Sequence, residues 1–376
     1  MDLKIDFPAI QTRFTGDEAN KISEAIINAK SFSMGPRLKE FEDNFAHLIG
    51  TKYACGVSNA TAALDLAAII SGIKDGDEVI IPAHTFTASA LPFLRRNAKI
   101  VFCDIDPETL VMDIDDVRDK ITPKTRVIVA VHLYGLPVEM DKIMELAKKH
   151  DLFVIEDCAQ SPGAEYKKQK VGSFGHCGCF SFHGQKNITT LGEGGMMTLN
   201  DDTLYEQLLG LRKIGSRPFK NQDKYWKPAM SNVVEAIPGE LPYNFALGEI
   251  QAFAGNLLLK RIDQINGNRK KYYNRITKEL SDYPELIFQK IPAERESAFH
   301  LLPARYNGEK YGTHRDDLIE MLYEEYGIKC VVQYVPLYRY ELFQKNGYTE
   351  LTCPKSDDFF DNMISFPFKT DMSEEE

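Results

Sequence analysis

Lys186 stands in FSFHGQKNITTLGEGGMMT (residues 180–198), with Ser181 before it and Gly192, Gly194 and Gly195 behind. A lysine acts as an amine nucleophile when burial or a neighbouring cation disfavours its ammonium form, which a crowded glycine-rich site can provide. Taken alone, Lys186 reads as an ordinary solvent-exposed lysine. Upstream, Asp157 in VIEDCAQS closes an apolar run. A carboxylate there is costly unless something positive or hydrogen-bonded meets it, so a cationic partner is expected; it could also serve as a helix N-cap. Earlier still, GVSNATAALDLAAII (residues 56–70) passes from a strand into a helix at Ser58, Asn59, Ala60 and Thr61. The free N–H groups of such a helix start make an anion pocket, although capping by Ser58 or Asn59 accounts for the same residues. Together, an anion pocket, a strand-end carboxylate and a framed lysine are the parts pyridoxal phosphate needs for its phosphate, its protonated ring nitrogen and its aldehyde.

These groups have to be positioned by regular elements. Apolar runs at 53–57, 78–82, 99–104, 126–133 and 152–157 alternate with helical patterns, among them EMDKIMELAKKH with Met140, Ile143, Met144 and Ala147 on one face. Strand and helix alternating over about a hundred residues predict an α/β fold with a mostly parallel sheet covered on both sides, and ligands bind at the carboxyl edge of such a sheet. Thr15 and Glu18 form a capping box ahead of a helix carrying Ile22, Ile26 and Ile27. After Asp157, GAEYKKQKVGSFGHCGCFSFH reads as a hairpin returning to the sheet, with Lys167, Lys168 and Lys170 at its tip and Cys177, Cys179 and Ser181 on one face. Residues 215–243 read as a long surface loop, and one long helical pattern runs from Ala246 to Leu280. The expected division is a large domain, 1–255, and a smaller C-terminal α+β domain, 256–376.

With 376 residues, the chain exceeds one ordinary hydrophobic core. A net charge of -10 argues against nucleic acid and anionic lipid as partners. No signal peptide and no membrane span is visible, and the seven cysteines lack a disulfide spacing, so reduced thiols and a cytoplasmic protein are expected. His176, Cys177, Cys179 and His183 lack the paired spacing of a soft-metal site, and no metal is expected. His183 is a candidate neighbour of the cofactor. His132 and Tyr134 end a strand on the same edge, where a satisfied structural pair is equally acceptable. Tyr334, Tyr338, Tyr340, Phe366 and Phe368 read as core.

The stretches MGPRLKEFEDNFAHLIGTKYACGVSNATAAL, IPAHTFTASA, VHLYGLPVEMDKIMELAKKHDLFVIEDCAQSPGAEY, SFHGQKNITTLGEGGMMT, LPYNFALGEIQA and CPKSDDFFDNMISFPF run nearly from end to end. Through them the chain resembles the DegT/DnrJ/EryC1/StrS sugar aminotransferases, within the fold-type I pyridoxal phosphate enzymes. The resemblance implies that Lys186 holds the cofactor as a Schiff base, Asp157 meets the pyridinium and Gln160 meets the phenolic oxygen. It implies that Phe86 stacks on the ring and that Ala60, Thr61 and Ser181 bind phosphate. Asn244 resembles an asparagine that reaches the phosphate of a neighbouring subunit, implying a homodimer with shared sites.

The implied reaction transfers an amino group from L-glutamate, or glutamine, to a keto-sugar, most often nucleotide-linked, by way of the pyridoxamine form. A smaller keto-phosphate or cyclitol ketone is the runner-up acceptor. A catalytically silent cofactor-binding regulatory protein is the rival from another class. Members of the family that deoxygenate replace the lysine by histidine, so Lys186 favours transamination. The chain departs from the family pattern in reading NFAL where NYRM is common, which puts Ala246 in place of an arginine, and in a longer MSNVVEAIPGELPY stretch.

Overall fold

The computed structural model describes residues 3–217 and 232–376. Its central feature is a seven-stranded sheet of β1 (Tyr53–Val57), β2 (Glu78–Pro82), β3 (Lys99–Cys103), β4 (Thr125–Val131), β5 (Phe153–Asp157), β8 (Cys177–Ser181) and β9 (Gly195–Leu199). β6 (Glu165–Tyr166) and β7 (Gln169–Lys170) lie outside it. The strand order is β1-β9-β8-β5-β4-β2-β3, and only β9 runs antiparallel to its neighbours. The five apolar runs are therefore β1 to β5, and the α/β expectation holds. β2 is buried along its whole length, as are Val127, Ile128, Val129 and Ala130 of β4, because helices cover both faces. On the outer edge, Ile100 N–H donates to the Tyr348 hydroxyl and Lys120 Nζ donates to Phe102 O. Side chains thus occupy backbone groups that would otherwise invite another strand.

Three helices frame the amino-terminal side. α1 (Gly16–Ile27) begins at the expected capping box, in which Glu18 N–H donates to Thr15 Oγ1 and Thr15 N–H donates to Glu18 Oε2. Its buried stripe follows Glu18, Ile22 and Ala25, which leaves Ile26 and Ile27 exposed, contrary to the sequence pattern. α2 (Pro36–Ile49) contributes Phe41 and Phe45, which pack against Phe180 and Phe182. α3 (Ala60–Ile70) is buried almost all round, as its Ala- and Leu-rich composition requires.

Two further expectations need correction. Lys167 and Lys168 do sit on a hairpin tip, at positive φ, whereas Lys170 lies in β7, and the hairpin β6–β7 pairs with Arg295–Glu296 in a separate small sheet. The strand that joins the main sheet is β8, parallel to β5. The single long helix is two, Glu249–Leu259 and Ile262–Glu279, broken where Arg261 leaves helical dihedrals (φ −122°, ψ 24°) and its guanidinium bonds Glu18. Of the expected loop at 215–243, residues 218–231 lie outside the described residues; Ser216–Arg217 and Asn232–Val233 pair antiparallel.

Leu286–Phe288, Leu302–Tyr306 and Met363–Phe366 form an antiparallel sheet in that order, with helix Arg315–Glu324 beside Met363–Phe366. Contacts tie this part to the rest of the chain: Lys4 and Ile5 N–H both donate to Gly327 O, and Leu337 N–H donates to Ala83 O. Among the described residues no helix is long and apolar enough to cross a membrane.

Candidate active site

At the carboxyl edge of the sheet lies a cavity of about 400 Å³. Ala60, Thr61, Phe86, Asp157, Gln160, Ser181 and Lys186, all singled out in the sequence, line it together, and His183 joins them. Asn244 does not. It is exposed and bridges Lys213, so its side chain belongs to no part of this chain's own cavity.

The anion pocket is built by register. Gly195, at the start of β9, pairs with Val57 of β1 on one side and with Ser181 of β8 on the other. A Cβ at Gly195 would lie 2.5 Å from Asn59 C and 2.8 Å from Ala60 N, so only glycine lets the start of α3 settle against β9. Asn59 caps α3 by accepting from Ala62 N–H at 2.8 Å, while the Ala60 and Thr61 amides belong to a first turn without intrahelical acceptors. Ser181 places a hydroxyl beside them. Ala246, across the Val57 bridge, and Phe245, whose carbonyl accepts from Ser58 N–H, bring the NFAL segment alongside this pocket.

Lys186 sits in a tight turn between β8 and β9, where Lys186 N–H donates to His183 O and Gly184 N–H donates to Gly192 O. The following residue anchors it: buried Asn187 donates to Ala298 O at 2.7 Å and to Asn266 Oδ1 at 3.1 Å, and its Oδ1 accepts from His300 Nδ1. Among the described residues Lys186 Nζ has no hydrogen-bond or ion-pair partner. Dense surroundings lower its ammonium from the ordinary 10.5 to about 8, against a smaller opposing pull from the Asp157 charge. Burial, assisted by Lys186 and Arg269, holds His300 well below the usual imidazole range.

Asp157 is 5% exposed, and the cationic partner expected for it is absent among the described residues at ion-pair distance. Its Oδ2 accepts from Ser89 Oγ at 2.7 Å and its Oδ1 from Ala159 N–H at 3.1 Å. Gln160 accepts from Tyr134 N–H through Oε1 and donates to the Tyr334 hydroxyl through Nε2. Tyr134 (φ 59°) also donates its hydroxyl to Gln333 O, so the same oxygen accepts from His84 Nε2–H. Burial drives His84 down to about 3, which keeps it neutral. Gly135, also at positive φ, lets the Tyr134 turn lie against Phe299, whose N would be 2.9 Å from an added Cβ.

Several lining residues escaped sequence reasoning. Tyr334, read as core, lines the cavity and meets Phe86 edge-on at 5.9 Å. Thr85, three residues beyond the carboxyl end of β2, lines the cavity as well, with the Ser89 hydroxyl behind it; their place after a strand at the ligand edge is the signal in the sequence. Glu193 lines the mouth opposite His183, 3.8 Å away. His176, Cys177 and Cys179 take structural places: His176 accepts from Val154 N–H and stacks on Phe153, while Cys177 and Cys179 are buried in β8. Of the remaining aromatics, Tyr338 and Phe368 are core as expected.

A carboxylate without a paired cation, an unpaired lysine of lowered basicity, free helix-start amides with a hydroxyl and an exposed aromatic face fit pyridoxal phosphate group by group. Fold and site thus define a pyridoxal phosphate-dependent aminotransferase. The profile of the DegT/DnrJ/EryC1/StrS aminotransferase family matches residues 14–376, and the chain belongs to that family. It is similar to GDP-perosamine synthase of Escherichia coli O157:H7, with 34% identity over 91% of this chain and 90% of that protein. It is also similar to the spore coat polysaccharide biosynthesis protein SpsC of Bacillus subtilis strain 168, with 33% identity over 96% and 91%. Among solved structures, Spr1654 of Streptococcus pneumoniae in its PLP form superposes with a TM-score of 0.87 at 27% identity, covering 98% of this chain and 95% of that one. The same protein has also been solved in a PMP form.

Proposed function

We propose that this aminotransferase moves an amino group from L-glutamate, or glutamine, to a nucleotide-linked keto-deoxyhexose in surface polysaccharide or glycoconjugate biosynthesis. Similarity along nearly the whole chain to a GDP-perosamine synthase carries this reading. One observation favours a smaller ketone instead: Ala246, beside the anion pocket, offers no cation where the family pattern has arginine.

In this reading Ala60, Thr61 and Ser181 hold the cofactor phosphate, Asp157 the ring nitrogen, Gln160 the phenolic oxygen and Phe86 the ring face. Bound pyridoxal phosphate supplies an electron sink for negative charge at the donor's α-carbon. Lys186 would hold the cofactor through its aldehyde and, with its amine free, would act as the general base that takes the proton from that α-carbon. With its basicity lowered to about 8, roughly a tenth of Lys186 is neutral at pH 7, against a few parts in ten thousand for a free lysine. In the second half-reaction Lys186 delivers a proton to the acceptor carbon that gains the amine. Asn244 serves the phosphate of a second subunit in a homodimer, and the enzyme works in the cytoplasm as domains 1–255 and 256–376.

The test loads the pyridoxamine form and screens keto-sugars, cyclitol ketones and keto-phosphates for return of the pyridoxal spectrum. A nucleotide-linked keto-sugar is expected to react fastest, and Lys186→Ala to abolish turnover and the absorbance of lysine-bound cofactor. Turnover retained in Lys186→Ala would sink the assignment.

A further inference from the structure

Beneath Phe86 the segment HTFTAS turns through a short 3₁₀ helix, Thr87–Ser89, and brings two hydroxyls into line with Asp157. Thr85 Oγ1 lies 3.0 Å from Ser89 Oγ, which lies 2.7 Å from Asp157 Oδ2. All three residues are buried, at 1%, 0% and 5% exposure. A carboxylate only accepts, so the single Ser89 proton goes to Asp157, and the Thr85 proton must then go to Ser89. The relay therefore has one direction, Thr85 to Ser89 to Asp157. Ala159 N–H holds the other carboxylate oxygen, so the group cannot rotate without losing a buried bond.

We propose that Ser89 is a positioning residue that acts through Asp157. Its hydroxyl fixes the carboxylate in the orientation that holds a proton on the ring nitrogen of the bound cofactor, and Thr85 completes the relay. The same short segment thereby supplies both the face against the ring, Phe86, and the anchor of the ring-nitrogen carboxylate. This inference rests on the proposed role of Asp157.

The experiment compares holoenzymes of wild type, Ser89→Ala, Ser89→Thr and Thr85→Val loaded with pyridoxal phosphate labelled with ¹⁵N in the ring. The ring-nitrogen resonance is followed against pH, together with the glutamate half-reaction. In Ser89→Ala the titration midpoint is expected to fall by about one unit and the half-reaction to slow about 10- to 100-fold, the size of a lost hydrogen bond to a charged group. Ser89→Thr restores both, and Thr85→Val gives a smaller shift of the same sign. A Ser89→Ala titration superposable on wild type overturns the proposal even if the half-reaction slows, because packing alone would do that. Should Ser89→Ala fail to fold, an unchanged resonance in Thr85→Val overturns it. A wild-type ring nitrogen that is never protonated overturns the assignment of Asp157 itself, a result separate from any difference among the variants.

Discussion

Glu156 and Asp157 are adjacent at the end of β5, and their surroundings differ completely. Glu156 is fully enclosed, and its oxygens accept from the backbone N–H groups of Gly172, Phe174 and Gly175 and from His132 Nε2. Asp157, on the opposite face of the strand, accepts among the described residues from only Ser89 and Ala159 and opens on the cavity that holds Lys186. A saturated carboxylate has no capacity left for a ligand, whereas one with a free side in a cavity does. The same accounting disposes of the buried trio His132, Glu156 and Cys158, whose polar atoms lie within 4.8 Å of one another. His132 Nδ1 accepts from Val138 N–H and its other nitrogen faces Glu156, so the trio is a structural lock between the strand end and residues 172–175.

Exchanging the two carboxylates' roles by mutation is the sharpest way to break this contrast. Asp157→Ala is expected to slow the glutamate half-reaction by about 1,000-fold or more while thermal unfolding stays close to wild type. Glu156→Gln is expected to do the reverse. An amide there replaces one accepting oxygen by an NH2 donor that faces N–H donors, and urea unfolding should show a loss of about 2–4 kcal/mol with the half-reaction of the folded fraction nearly intact. Loss of activity in Glu156→Gln at full stability would erase the distinction.

The smallest effect concerns pH. Because the folded-state value of Lys186 lies near 8 and the unfolded one near 10.5, between these values the unfolded chain holds a proton that the folded chain does not. Stability of the cofactor-free protein therefore rises with pH across that window, by something on the order of 1–2 kcal/mol after discounting for the residue's remaining exposure. Urea unfolding of wild type against Lys186→Met isolates this term. A difference that falls, or stays flat, from pH 8 to 10.5 contradicts the buried environment.

What could be read in the sequence and what could not divides along similar lines. β1 to β5 were legible because strands buried on both faces leave unbroken apolar runs such as EVIIP. That Lys186, Asp157 and Thr61 would meet in one cavity was legible because residue type and position at strand ends or a helix start carry chemistry. Tyr334 was not, since its aromatic type reads equally well as core and only the tertiary fold sets its hydroxyl against Gln160. The hairpin was misplaced because two-residue strands give no periodicity, and its partner, Arg295–Glu296, lies over a hundred residues away. The break at Arg261 was hidden because neither Gly nor Pro marks it; a contact with Glu18 holds it.

The central claim is that Lys186, poorly solvated, unpartnered among the described residues and facing Asp157, is where the cofactor aldehyde attaches. Borohydride reduction of the cofactor-loaded enzyme, followed by peptide mass analysis, tests it directly. The added mass of the reduced cofactor is expected on the peptide containing Lys186 and on no other. The mass on a different lysine, or its absence from an enzyme that still turns over glutamate, would contradict the account.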